Sequence, residues 1–512
     1  MPLSSPDVLI IGSGMGGATL AAGLAGSGAK VLIVERGEQL PDEPSARDAR
    51  AIFMASRYRP REQWHDSEGR AFNPGNYYYL GGNSKFYGAV MLRYRAQDFS
   101  PLEHAEGVTP GWPFPYAALE PWYGEAERLF AVRGAGGEDP SEPPHSTPYP
   151  HGPVPDEEPV ARARERLKGA GLHPFSLPLA VDIERWLARA PTPWDAYPDT
   201  RSGKYDAETA SLARALADPD IRVLTRTRAV RLVAAPDGRI EGVEVEGDDG
   251  ARRVIKAGLV VLAAGAVNSA ALLLASADGA NPGGLANRSG VVGRHFMNHN
   301  ASAMLVFDPR LRNRSVYQKT LGLNDFYLSD GQGGPPLGNV QLLGKITGPV
   351  LKANLPAAPM ALLDGMAAWS FDWYLMSEDL PHQDSRVRLD GARIVLDWRR
   401  TNMKAHEGLV RRMRERFRAA GFPVVLTRPF DKRTPSHQCG TVRFGADPAT
   451  SALDPLCRAH DHPNLYVVDA SFLPTSAAVN PALTIAAQAL RVADHLRGSP
   501  LAAARTARET PP

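Results

Sequence analysis

Six residues near the start of the chain, Gly12-Ser13-Gly14-Met15-Gly16-Gly17, constrain its fold more than any other stretch. A short β-rich run, Asp7 to Ile11, leads straight into them, and a small-residue segment follows from about Gly16 to Ala25. Gly26-Ser27-Gly28 breaks that segment, and a second β-rich run, Lys30 to Val34, ends in Glu35-Arg36. Strand, glycine-rich turn, helix and strand predict one βαβ unit. G-x-G-x-x-G alone is weak evidence, but here it follows a strand, opens a helix and is answered by the acidic Glu35. Gly12 permits the tight turn, Gly14 lets backbone approach a pyrophosphate, and Gly17 lets the helix pack on the strand. Gly16 belongs to the same turn, whose helix N-terminus offers N–H donors and positive potential to phosphates. Glu35 can accept hydrogen bonds from ribose hydroxyls. The turn predicts a dinucleotide site without choosing between FAD and NAD.

At 512 residues the chain is long enough for two domains or one large elaborated one. A formal net charge of +2, with no basic run interleaved with aromatics, argues against a nucleic-acid partner. The only cysteines, Cys439 and Cys457, form no CxxC pair, which excludes a thioredoxin-type dithiol and a cysteine zinc site. No H-E-x-x-H or clustered carboxylate pattern supports a metal. The N-terminus lacks a basic n-region, and no stretch reaches the roughly 18 apolar residues of a spanning helix. The expectation is a soluble, cytoplasmic protein with no membrane partner.

Residues 134 to 159 are rich in Pro, Gly, Glu and His and suit an extended surface excursion, either a lid or an oligomer contact. Glu120 to Phe130, just before, is amphipathic and predicts a helix. Ile221–Leu224, Val230–Val233, Ile240–Val245 and Arg253–Ile255 alternate with turns at Asp237-Gly238 and Asp248-Asp249-Gly250, which predicts a small antiparallel meander. Leu259 to Ala263 reads as a buried parallel strand ending in Ala264-Gly265, with a helix over Ala266 to Ser276. From about 300 to 430 the pattern is irregular, apart from a hairpin around Asp390-Gly391 and a helix over Thr401 to Ala420. A strand at Leu465 to Val468 and a helix at Thr484 to Leu496 return to α/β.

Three further segments point past a generic dinucleotide site. Leu80-Gly81-Gly82-Asn83-Ser84-Lys85-Phe86-Tyr87-Gly88 is a second glycine-rich loop. His437-Gln438-Cys439-Gly440-Thr441 is followed by the stretch Asn464 to Thr475, which contains Asp469-Ala470, and by Asn480-Pro481-Ala482-Leu483-Thr484. Together these resemble the glucose–methanol–choline (GMC) oxidoreductase family, well at both ends of the chain and loosely in the middle. Val261 to Ala271 and Val292 to His299 add to the likeness.

The resemblance implies an α/β (α+β overall) protein: a Rossmann-like FAD-binding domain with an inserted substrate-binding domain built on an antiparallel sheet. FAD-binding parts would lie at 1–95, 206–300 and 431–500, substrate-side parts at 96–205 and 301–430, and a flexible tail at 501–512. It implies FAD contacts from the first turn with Glu35 and Arg36, and from Gly81, Gly82, Asn83, Ser84 and Phe86. It adds Val230, Ala264, Gly265, Asp469 and Ala470, then Asn480, Pro481 and Thr484. It places His437 and Asn480 on the substrate side of the flavin. Oxidising C–OH to C=O sends a hydride to flavin N5 while the hydroxyl proton leaves. A neutral imidazole can take that proton, and the Asn480 amide can orient the hydroxyl and steady a developing alkoxide.

Some family members tether FAD through a His at the position of Phe86, so the FAD here is expected to be non-covalent. The Lys85-Phe86-Tyr87 form of the loop, with Trp112-Pro113-Phe114-Pro115-Tyr116, is more similar to the branch holding pyranose 2-oxidase and bacterial glycoside 3-oxidases. That implies a sugar or glycoside substrate, oxidised at a secondary hydroxyl (C2 or C3) to a ketone. Electrons would pass to O₂, giving hydrogen peroxide, or to a quinone. Tyr77, Tyr78, Tyr79, Trp369 and Trp373 are candidate stacking faces for a sugar. His145, His151, His295, His299 and His382 read as structural or loop residues, with His299 the one that could stand near the site. A dehydrogenase for another alcohol or polyol, a flavin monooxygenase or amine oxidase, and a non-catalytic nucleotide-binding protein are the alternatives. Oligomeric state has no signature in the sequence.

Overall fold

A computed structural model of the chain describes residues 5–201, 203–434, 437–498 and 500–501. The expected tail from 502 onward lies outside the described residues.

The βαβ unit forms as expected. Val8–Ile11 and Val31–Val34 pair in parallel, joined by the helix Met15–Leu24. Every residue of both strands is buried, as continuous apolar runs in a covered parallel sheet require. The sheet has five parallel strands in the order Leu465–Val467, Leu259–Leu262, Val8–Ile11, Val31–Val34, Ile221–Leu224. The helix Ala482–Arg497 crosses Met15–Leu24 where Gly23 leaves room: a Cβ on Gly23 would stand 2.6 Å from Ala493 Cβ. Residues from both ends of the chain thus build one sheet and its helical cover.

Ile221–Leu224 corrects one expectation. It pairs with Val31–Val34 at the edge of the parallel sheet and is not part of the meander. The meander holds only Thr227–Ala234, Ile240–Gly247 and Arg252–Lys256. Within it Arg231 pairs with Glu244 and Ala229 with Val245, so Val230 is the extra residue of a β-bulge, outside the ladder.

The segment that reads as irregular supplies most of a six-stranded antiparallel sheet. Its order is Val424–Pro429, Asn300–Phe307, Ser370–Ser377, Asn339–Leu342, Leu321–Leu323, Phe175–Ser176. Alternation sorts its two faces. Met304, Val306, Val340, Leu342, Phe371, Trp373 and Leu375 pack against Leu409, Met413 and Phe417 of the helix Met403–Ala419. Gln341 and Tyr374 are cross-strand partners and face the other way, as do Ala303 and Asp372. Two helices, Gly348–Asn354 and Met360–Trp369, were not expected; through Leu351, Leu363 and Ala367 they cover part of that second face. The expected hairpin, Arg386–Asp390 with Arg393–Asp397, forms but joins a separate sheet with Trp64–Asp66 and Ala71–Phe72. Among the described residues no helix is long and apolar enough to cross a membrane.

Candidate active site

The first glycine turn, the second glycine loop and the ends of the strands Leu259–Leu262 and Leu465–Val467 meet at one end of the parallel sheet. Gly12 has φ +100°, and a Cβ there would fall 2.4 Å from the Ala263 carbonyl oxygen. A Cβ on Gly16 would lie 2.0 Å from the Val468 oxygen, and on Gly17 2.1 Å from the Gly12 oxygen. These three glycines are dictated by neighbouring backbone. Gly14 is not: a Cβ there meets nothing within 4 Å, so its backbone borders open space. Gly82, at φ +56°, closes over it, its Cβ position 3.5 Å from Gly14 Cα. Gly81, at φ +87°, donates its N–H to Ser13 Oγ at 3.2 Å.

The acidic end of the second strand is held in the same cluster. One oxygen of Glu35 accepts from Ser13 N at 3.0 Å and Ser13 Oγ at 2.7 Å, and the other from Gly37 N at 2.9 Å. Gly265, at φ +89°, also borders open space and donates its N–H to Asp469 at 3.0 Å. Ser269 Oγ and Ser471 N donate to the same carboxylate, whose pKa burial raises. Asp469 therefore ties two strand ends together. Ala264 N donates to Ser269 Oγ at 3.2 Å, and Gly440 N donates to the Ala470 carbonyl at 3.2 Å. The helices Met15–Leu24 and Ala482–Arg497 both start without a side-chain cap or an acidic first turn, at Gly14 and Pro481. Uncapped N–H groups beside two unfilled glycine positions fit the diphosphate of a dinucleotide.

The remaining cofactor candidates surround this cradle. Arg36 lies 3.8 Å above the Tyr78 ring. Asn83 Oδ1 accepts from Tyr77 N at 2.8 Å, and Ser84 Oγ donates to the Gly81 carbonyl at 2.6 Å, so both brace the second loop from within. Phe86 stacks on Tyr77 with centroids 3.7 Å apart and offers no atom for a flavin bond. Thr484 Oγ1 is 2.8 Å from the Tyr123 hydroxyl.

The two catalytic candidates, 43 positions apart, meet directly: Asn480 Nδ2 is 3.2 Å from His437 Nε2. Asn480 Oδ1 accepts from Gln341 Nε2 at 3.0 Å, which anchors the amide to the antiparallel sheet. His437 has φ +71°, a left-handed backbone that costs a non-glycine residue about 1–2 kcal/mol. Strain of this kind collects at functional positions. Its ring lies 6.4 Å from Tyr374. Burial, then His299 and Lys319, hold the His437 imidazole well below the ordinary histidine range, and burial lowers His299 as well. Both rings are neutral at neutral pH.

Several residues stand differently from their reading in the sequence. His299 is part of the site: its Nδ1 is 2.8 Å from His437 Nδ1, and its Nε2 is 3.1 Å from the Ser476 carbonyl. Its position in the family-like stretch Val292 to His299 was the available signal. Gln341, Tyr374 and Lys319 carried none. Trp373 is buried behind the sheet against Phe417, with centroids 5.0 Å apart, and is not a sugar platform. Tyr77 is occupied by Phe86, and Tyr78 by Arg36 and Glu62. A cavity of about 550 Å³ opens within the Pro-rich excursion, lined by Glu142, His145, Tyr149 and His151 among others; no catalytic candidate borders it. Among the described residues no group of His, Cys, Asp and Glu is placed to hold a metal, and both cysteines are free and buried.

The chain is similar to known proteins along most of its length. Residues 381–489 match the family described as GMC oxidoreductase, and residues 7–313 match that described as FAD dependent oxidoreductase. A 6'''-hydroxyparomomycin C oxidase from Streptomyces lividus is 30% identical over 96% of this chain and 92% of its own. Paromamine 6'-oxidase from Streptomyces fradiae is 30% identical over 96% and 91%. A C-glycoside 3-oxidase from Microbacterium trichothecenolyticum is 27% identical over 96% of each chain. Among solved structures, a pyridoxine 4-oxidase from Mesorbium loti superposes with a TM-score of 0.64 at 20% identity, covering 96% of this chain and 98% of its own, which supports the fold.

Proposed function

We propose, for a chain that belongs to the GMC oxidoreductase family and is FAD-dependent, that it oxidises a hydroxyl of a sugar or glycoside to a carbonyl, with His437 as the base. The observation that carries this is the His437–Asn480 contact: a buried imidazole held toward its neutral form and an amide whose Nδ2 meets its Nε2. Bound FAD, held by the glycine cradle, Glu35 and the uncapped helix starts, supplies the two-electron acceptor for the hydride. A substrate hydroxyl that takes the place of the direct Asn480–His437 hydrogen bond donates its proton to Nε2 and accepts from Asn480 Nδ2. The proton moves to the imidazole as the C–H bonding pair leaves carbon, and the oxygen lone pair closes the C=O bond. Asn480 steadies the negative charge that develops on the oxygen during this step. Gln341 Oε1, buried without a hydrogen-bond partner among the described residues, can accept from a second hydroxyl of the substrate.

The relative named a C-glycoside 3-oxidase supports attack at a secondary ring hydroxyl, giving a ketone. A second reading has its own support: the 30%-identical paromamine 6'-oxidase is named for a position that, in a hexose, is the exocyclic carbon, where oxidation gives an aldehyde. Incubation with free sugars, C- and O-glycosides and aminoglycosides, followed by NMR of the product, separates the two. A ketone supports the first reading and an aldehyde the second. An inserted oxygen atom, or turnover of simple diols alone, overturns the sugar reading. Peroxide yield under O₂, against reduction of a quinone, identifies the electron acceptor.

A further inference from the structure

Ser476 presents a backbone carbonyl, which can only accept, to His299 Nε2 at 3.1 Å. The Tyr94 hydroxyl donates to the same oxygen at 3.1 Å. His299 Nε2 must therefore carry a proton. Because His299 is neutral, its Nδ1 then holds a lone pair. That lone pair faces His437 Nδ1 at 2.8 Å, so His437 Nδ1 must be the donor. His437 is neutral as well, which leaves the lone pair on Nε2, the atom that meets the Asn480 N–H. With both rings neutral, this one proton arrangement satisfies every contact. The reverse order sets a lone pair against the Ser476 carbonyl.

We infer that His299 is a positioning residue that fixes the tautomer of His437, so that the base lone pair always lies on Nε2. The inference rests on the reading of His437 as base. A ring with Nε2–H could not take the substrate proton. His299 keeps that form out by offering His437 Nδ1–H an acceptor in a buried setting where an unpaired N–H is costly. It also accepts from the imidazolium that forms when Nε2 takes the proton. The chain ends at a carbonyl, so that proton has no onward path through Nδ1 and leaves by the Nε2 side. Among the described residues, Lys319, paired with Asp195, and Tyr374 face His437, and Glu378, held by Thr475 and His104, faces His299, with Tyr94 on the Ser476 carbonyl. Ala477, following Ser476, has φ +48°, a second non-glycine residue in left-handed backbone where the anchor carbonyl is set.

The direct test is ¹⁵N NMR of histidine-labelled holoprotein, with His437 assigned by the loss of its signals in His437→Asn. The expected result is a protonated Nδ1 and an unprotonated Nε2 on His437; the opposite pattern overturns the inference without any variant of His299. Two variants then test the consequence. His299→Leu is expected to retain FAD, to show a mixed His437 tautomer and to lower the limiting rate of flavin reduction by at least about tenfold, within the roughly 10²–10⁴-fold worth of a positioned base. His299→Asn, whose Oδ1 replaces Nδ1 as acceptor, is expected to recover most of that rate. A wild-type rate in His299→Leu, or no recovery in His299→Asn, overturns the positioning role. A wild-type rate in His437→Ala would instead remove the base reading itself.

Discussion

Gly14 and Gly16 lie two positions apart in one turn, and the structure gives them opposite roles. A Cβ on Gly16 would sit 2.0 Å from the Val468 oxygen, so the helix must withdraw from the strand by more than an ångström. Strain of this kind in packed surroundings costs about 1–3 kcal/mol and more where the obstacle is backbone. Gly16→Ala is therefore expected to lower the midpoint of urea unfolding in the apoprotein. Gly14 has φ −69° and ψ −169°, which any residue adopts, and a Cβ there touches nothing. Gly14→Ala is expected to leave the apoprotein unchanged, or to stabilise it by about 0.4–1 kcal/mol through a less flexible unfolded chain. Yet the added methyl would occupy the space where a pyrophosphate must approach, so FAD affinity should fall by tenfold or more. The assay pairs apoprotein unfolding with FAD retained after gel filtration. Gly14→Ala that binds FAD as wild type, or Gly16→Ala with an unaltered apoprotein, would refute the division.

Two further outcomes follow from the same geometry. Acid precipitation of the holoprotein should leave all flavin in the supernatant, because Phe86 stacks on Tyr77 and has no atom to bond a flavin; flavin in the pellet would contradict this. Burial above all, then Arg400, lowers the His406 pKa to about 4. The unfolded chain takes that proton near pH 6.5 and the folded chain does not, so stability is whole above pH 6.5 and declines as pH falls toward 4, by roughly 3 kcal/mol from this group. His406→Gln should show a shallower loss of unfolding free energy between pH 7 and 4.5, and an identical slope would refute the assignment.

How much of this was legible in the sequence follows from physical range. The βαβ unit is written locally, in apolar runs and glycines adjacent along the chain, and it formed as read. Ile221–Leu224 was misplaced because a four-residue β run does not say which sheet it joins, and its edge position leaves it partly exposed. An antiparallel sheet was expected from the family likeness, but its individual strands were hidden for a different reason. Its site face carries Asn339, Gln341 and Asp372, which interrupt the apolar alternation, and its last strand, Phe175–Ser176, arrives from far upstream. His437 and Asn480 were found through a family likeness. His299 was read only as a residue that could stand near the site; its contact with His437, 138 positions away, appeared once the fold brought the two rings together.

The central claim is that His437 takes the substrate proton as a sugar hydroxyl is oxidised. Anaerobic stopped-flow mixing of wild-type and His437→Ala holoprotein with the sugar that gives product tests it most directly. The account predicts full flavin bleaching in wild type, and in His437→Ala the same bound FAD with reduction slowed by roughly 10²–10⁴-fold. Wild-type-like reduction in His437→Ala would contradict it.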